Sequence, residues 1–289
     1  MFSGSIVALV TPMHADGSLD IDALRRLVAW HIEQGTQALV AAGTTGEFSA
    51  LTPEEYRIVI RAVVEESAHR IPVIAGSGTS CTQKTIELTQ LAKDLGVDAC
   101  LLLTPCGIKP TQAGLIAHYL KIAQSVAIPQ LLYNVPTRTA CDLLPETVAQ
   151  IAQHPHVVGI KECVSDHYSP LMNTLGQRLD ILSGDDASAL ELFTLGGHGV
   201  ISVVANVVPK LMRTFWEAAK AGQNDEAQRL QHSLQALYDT LFLEANPIPV
   251  KWALHEMGAI GSEIRLPLTP LSELYRAKVQ EALRTLKCL

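Results

Sequence analysis

Short apolar runs, many of them rich in β-branched residues, punctuate the chain at a steady rhythm: residues 6–10, 38–42, 73–75, 99–103, 130–133, 157–160, 181–182 and 199–203. Each is apolar almost throughout and does not alternate, as expected of parallel strands covered on both faces. Between them lie longer segments with apolar positions near the helical period, such as 52–67, 82–95 and 145–152. Thr52-Pro53-Glu54-Glu55 reads as a capping box with proline at the first helical position, and Pro145 and Pro209 open later helices in the same way. Eight strand–helix units are complete by about residue 221, whereas open doubly wound sheets more often hold about five or six strands. The pattern therefore predicts an α/β chain folded as a (β/α)8 TIM barrel over residues 1–223. Residues 224–289 contain no strand run and read as an appended C-terminal helical segment, with helices over 225–243, 249–257 and 270–286. No low-complexity linker precedes it, so it should pack on the barrel.

Composition narrows the function classes. A chain of 289 residues can bury a core that needs neither disulfides nor metal. The formal net charge of -7 leaves no basic footprint for nucleic acid. The six cysteines form no C-x-x-C pair, which predicts reduced, mostly buried thiols in a cytoplasmic protein. The apolar run at 6–10 has no basic segment before it and no small-residue cleavage site after it, so it is not read as a signal peptide. No window approaches the roughly 20 apolar residues of a membrane span. His154-Pro155-His156 lacks a third ligand and H-E-x-x-H is absent, so no metal is expected. No G-x-G-x-x-G follows the first strand, which argues against a dinucleotide fold.

In a barrel of this kind the chemistry sits at the C-terminal ends of the strands. The second strand ends in Gly43-Thr44-Thr45-Gly46-Glu47, either a plain glycine-rich turn or a carboxylate cradle of N–H groups and hydroxyls. The fifth ends in Tyr133-Asn134-Val135-Pro136-Thr137-Arg138. It offers a phenol able to move a proton and a guanidinium fork suited to a carboxylate, unless Arg138 is spent in a surface salt bridge. Lys161 follows the sixth apolar run directly. A lysine there reaches solvent, pairs with a carboxylate, or is desolvated into an amine that attacks carbonyls. Fifth and sixth strands are neighbours, so Tyr133 and Lys161 should share one mouth. Ser183-Gly184-Asp185-Asp186 ends the seventh strand, with both aspartates read as structural. Gly196-Gly197-His198-Gly199 before the eighth either closes a turn, admits a ligand carboxylate, or cradles phosphate as in a barrel isomerase.

Together these residues resemble the dihydrodipicolinate synthase and N-acetylneuraminate lyase family over essentially the whole chain. The matching pieces are Gly43-Thr44-Thr45-Gly46-Glu47, Tyr133-Asn134-Val135-Pro136, Gly159-Ile160-Lys161-Glu162, Ser183-Gly184-Asp185-Asp186, Gly196 to Ser202, and Asn246-Pro247-Ile248-Pro249-Val250-Lys251. The resemblance implies a homo-oligomeric barrel, tetramer or dimer, with no cofactor beyond a covalent imine between pyruvate and Lys161. It implies Lys161, Tyr133 and Thr44 as catalytic residues, with Tyr133 relaying protons. Thr44 and Thr45 would hold the pyruvate carboxylate, and Ile201 and Gly184 would border the substrate. Arg138 implies the branch that condenses pyruvate with L-aspartate-4-semialdehyde, on the way to diaminopimelate and lysine. Without that arginine the implied activity would be a sibling aldolase acting on N-acetylneuraminate or a keto-deoxy sugar acid.

Two departures from the family pattern stand out. Where the family carries two tyrosines after the fourth strand, the second completing the proton relay across a subunit interface, this chain has Cys106 and Gly107. That loss motivates a third reading, a catalytically impaired barrel kept for binding. Where lysine-inhibited members place a His, an Asn and a Glu, this chain has Tyr56, Ser80 and Lys84. Lys84 would repel the lysine ammonium, which implies weak or absent feedback.

Overall fold

The computed structural model describes residues 1–289. Eight strands form one closed barrel in chain order: β1 (Gly4–Ala8), β2 (Ala38–Ala41), β3 (Val73–Gly76), β4 (Ala99–Leu103), β5 (Gln130–Asn134), β6 (Val157–Glu162), β7 (Asp180–Ser183) and β8 (Gly199–Ser202). All pairings are parallel, and β8 closes onto β1. Alternate strand residues divide between two cores. Ile6, Val40, Ile74, Leu101, Leu131, Leu182 and Ile201 fill the barrel interior. Val7, Leu39, Ala75, Leu102, Leu132, Ile160 and Val200 face the surrounding helices. Both sets are buried, which is why the strands read as continuous apolar runs.

The predicted capping box at Thr52 forms. Glu55 N–H donates to Thr52 Oγ1 at 3.2 Å, Thr52 N–H donates to a Glu55 oxygen at 2.8 Å, and the helix Pro53–Ser67 follows. The glycines at 196–199 lie at the other end of the barrel from the active-site face, because Gly199 is the first residue of β8. A Cβ on Gly199 would fall 2.2 Å from the Gly4 carbonyl oxygen, and Gly4 N–H donates to the His198 carbonyl at 2.9 Å. Gly199 closes the barrel seam against Gly4, and Gly196 and Gly197 turn the chain after the helix Ala189–Thr194; a phosphate cradle there would sit on the wrong face.

The segment beyond the barrel forms the helices Asn224–Thr240, Ile248–Glu256 and Glu273–Thr285. Their buried residues, among them Leu234, Val250, Leu254 and Val279, belong to the same core as the barrel helices. A second tie is electrostatic. Lys251 Nζ donates to Glu47 Oε1 at 2.5 Å with both side chains almost wholly buried, and Arg265 N–H donates to the other Glu47 oxygen at 3.0 Å. Burial pushes the Lys251 amine down from its ordinary value and the Glu47 carboxylate opposes that shift.

The cysteines correct one expectation. All six are free, but only Cys100 and Cys141 are buried; Cys163 and Cys288 are half-buried, and Cys81 and Cys106 are exposed. The exposed pair follow β3 and β4 on connecting segments, outside the packed layers. No helix is long and apolar enough to cross a membrane.

Replacing Glu47 by glutamine should leave Lys251 buried without its counter-charge. The expected cost is about 3–5 kcal/mol of stability, read as a fall in urea midpoint at unchanged slope.

Candidate active site

Strand pairing fixes the centre of the site. Tyr133 on β5 stands directly beside Lys161 on β6, and Lys161 pairs on its other side with Leu182 of β7. The apolar run ends at Ile160, yet β6 continues to Glu162, so Lys161 lies within the strand and not after it. Lys161 is 5% exposed and enters no ion pair; its Nζ lies 4.4 Å from the Tyr133 ring centroid. Of the three fates the sequence left open, neither solvent nor a carboxylate partner is realised. Burial pushes the Tyr133 phenol up, opposed by the charges of Lys161 and Arg138 and by the Thr44 hydroxyl. The phenol therefore keeps its proton at neutral pH and can donate it.

A cavity of about 290 Å³ opens at this point, lined by Thr44, Thr45, Tyr133, Arg138, Lys161 and Gly184. Six of the seven candidate site residues are thus brought together. Ile201 is the exception: it packs in the barrel interior, and Val203 reaches the cavity from the end of β8. Gly184 is required by close approach. A Cβ there would fall 2.4 Å from Cys163 Sγ and 3.0 Å from two carbons of the Lys161 side chain.

Arg138 sits on the helical turn Pro136–Thr139, exposed, with its guanidinium donating to the Asn246 carbonyl at 3.4 Å. It forms no salt bridge, so its fork is free to meet a ligand carboxylate. The two aspartates after β7 accept local hydrogen bonds, and Asp185 also lines the cavity. Asp185 accepts from Ser188 N–H and hydroxyl at 2.9 and 2.8 Å. Asp186 accepts from the Ser202 hydroxyl and from Val203 and Val204 N–H, and burial raises its carboxyl to about 6.

A second cavity of about 390 Å³ adjoins the first through Gly43, Thr44, Leu101, Tyr133 and Arg138, and reaches out past Phe48, Ser80 and Cys106. Gly107 stands at φ +82°, and a Cβ on it would meet nothing within 4 Å. A tyrosine there would have open space but a strained backbone, so substituting Gly107 is a poor way to restore a phenol.

Sequence reasoning missed the contribution of the C-terminal segment. Phe242 and Asn246 line the first cavity, and Asn246 Nδ2 donates to Thr45 Oγ1 at 2.9 Å while its Oδ1 is buried without a partner. The only signal was that Asn246 opens one of the matching motifs. Cys163, also on the cavity wall, carried none.

A sequence model of the dihydrodipicolinate synthetase family matches residues 1–286. The chain belongs to that family. Among its relatives, the 4-hydroxy-tetrahydrodipicolinate synthase of Methylococcus capsulatus is 54% identical over 286 residues, covering 98% of each chain. That of Saccharophagus degradans is 52% identical over the full length of both. The solved dihydrodipicolinate synthase of Acinetobacter baumannii, described as chloride inhibited and complexed with pyruvate, is 49% identical, with a TM-score of 0.98 and full coverage of both chains. The enzyme of Cyanidioschyzon merolae, solved with lysine bound, is 34% identical with a TM-score of 0.97, covering 100% of this chain and 99% of that one. The family's closed eight-stranded barrel is the fold described above.

Proposed function

We propose that this chain is a 4-hydroxy-tetrahydrodipicolinate synthase, a class I carbon–carbon lyase that condenses pyruvate with L-aspartate-4-semialdehyde. The observation that carries this reading is an unpaired, buried Lys161 beside the Tyr133 phenol at the mouth of the barrel. The Lys161 amine adds to the keto carbon of pyruvate, and loss of water gives the imine. Thr44 and Thr45 hold the pyruvate carboxylate while Tyr133, backed by Thr44, supplies and takes the protons. A proton leaves the pyruvate methyl to give the enamine, whose carbon adds to the aldehyde. The substrate's own amine then displaces Lys161 as the ring closes, and the enzyme returns to its starting form. No cofactor is needed for any step.

Arg138 selects the aldehyde. Its free fork suits the semialdehyde's carboxylate, and a neutral sugar chain would leave it unmatched, which disfavours the sibling aldolase reading. Cys106 and Gly107 offer no phenol, so the proton path beyond Thr44 runs through the hydroxyl-lined second cavity, where Ser49, Ser77 and Thr104 can order water. An impaired barrel is the reading this leaves to be excluded by turnover. A homo-oligomer working in the cytoplasm, on these two small molecules alone, completes the proposal.

Lysine feedback should be weak. Tyr56 is wholly buried with its ring edge-on to Phe48, centroids 5.7 Å apart, and Lys84 is exposed with its charge of the wrong sign for an ammonium ligand.

Borohydride reduction in the presence of pyruvate should trap an adduct on the peptide carrying Lys161, and Lys161→Ala should abolish it; an adduct surviving in that variant sinks the assignment. With the reaction coupled to the following reductase, Arg138→Ala should raise KM for the aldehyde by about tenfold or more while KM for pyruvate moves little. The reverse pattern would place Arg138 on the other carboxylate. Addition of lysine to about 1 mM, the scale of ordinary small-metabolite affinities, should leave the rate within a factor of two.

A further inference from the structure

The two segments that flank the cavity, after β5 and after β6, are tied together outside the barrel by a closed ring of four side chains. Asn134 and Glu162 are paired positions, each one residue beyond Tyr133 or Lys161, so they point away from the barrel interior. Asn134 Nδ2 donates to Glu162 Oε1 at 3.0 Å and to Asp142 Oδ1 at 2.8 Å. Glu162 Oε2 meets His167 Nδ1 at 3.2 Å, and His167 Nε2 lies 3.7 Å from Asp142 Oδ2, which closes the ring. Glu162 is wholly buried, while the Asp142 side chain keeps 38% of its surface. The synthase chemistry proposed above uses none of these four residues.

A neutral imidazole donates from one nitrogen only, whereas an imidazolium donates from both. Glu162 is buried, close, and also held by Val164 N–H at 2.8 Å, so it keeps whichever proton remains. Asp142 is partly in water and makes the longer contact; on deprotonation it faces a nitrogen lone pair and turns outward, giving up its bond from Asn134. Asp142 lies four residues beyond Arg138, on the segment that leaves the Arg138 turn. We propose that His167 is a positioning residue: its imidazolium latches the Arg138 turn to the segment after β6, and loss of its proton loosens the carboxylate-binding side of the site. Lys161 and Tyr133, held within strands on both sides, stay in place.

The charged groups facing the imidazole are Glu162 from β6, Asp142 from the segment after the Arg138 turn, and Asp166 beside it; together, Glu162 first, they raise its pKa above 6.5 against the opposing effect of burial. A group raised on folding contributes fully below its unfolded value and loses that contribution as pH climbs through the folded one. The latch is thus closed at mildly acidic pH and opens as pH climbs through the raised midpoint.

The inference rests on the reading of Arg138 as the aldehyde's carboxylate site, and two measurements separate its failure from failure of that reading. In the wild-type protein, NMR of the His167 ring should show a midpoint above the ordinary histidine value, and Asp142→Asn should lower it; this readout needs no turnover. In steady state, KM for the aldehyde should rise about threefold from mildly acidic to alkaline pH, the scale of one partly exposed ion pair, while KM for pyruvate follows no such trend. His167→Gln, which carries no charge at any pH, should hold the raised aldehyde KM at every pH while the protein stays folded. A His167 midpoint at or below the ordinary value overturns the proposal. So does a glutamine variant that keeps the wild-type pH dependence, or one that raises both KM values alike.

Discussion

The placement of Lys161 against Tyr133 is decided by the backbone ladder between β5 and β6, and most of the site is arranged around it. A closed barrel fixes which residues share a rung, so a reactive amine and a proton donor can be set side by side without any bond between their side chains. Gly184 leaves the space this lysine occupies, and Asn134 and Glu162 lock the two strands on the far side of the same rungs. The chain withdraws a second lysine from water, and the contrast is instructive. Lys251 is given a buried carboxylate and becomes a fastening; Lys161 is denied one and is left available for chemistry.

Arg138 follows a different logic. It sits on a short helical turn outside the strands, exposed, with a single hydrogen bond to a carbonyl. On the proposed reading, Lys161 and Tyr133 are held by the sheet, and the residue that would choose the partner is held by a loop. That division lets substrate choice vary without disturbing the amine.

Much of this was legible in the sequence because strands buried on both faces spell themselves as apolar runs. The boundaries of all eight fall within two residues of those runs, and the capping box at Thr52 and the helical segment after the barrel were read correctly. What hydrophobicity could not convey was where hydrogen bonding outlasts it: β6 carries on through Lys161 and Glu162 because both find places in the ladder. Ile201 and Val203 are alike in composition and two residues apart, and they part because β8 ends at Ser202: Ile201 points into the interior, while Val203, already in a helical conformation, reaches the cavity. The glycines at 196–199 looked equally suited to a ligand or to a turn until the close approach of Gly4 decided it. Phe242 carried no mark of the cavity it reaches, and Asn246 only its place at the head of a matching motif.

That last contribution bears on how the protein comes into being. Thr45 and Glu47 follow β2, early in the chain, yet the partners that satisfy them, Asn246 and Lys251, are translated near the end. A barrel that has emerged through β8 has all its strands and its nucleophile but carries a buried carboxylate without a cation and a pocket lacking one wall. The final quarter of the chain supplies both at once. The pocket is therefore complete only once the segment after the barrel has packed against the loop that follows β2.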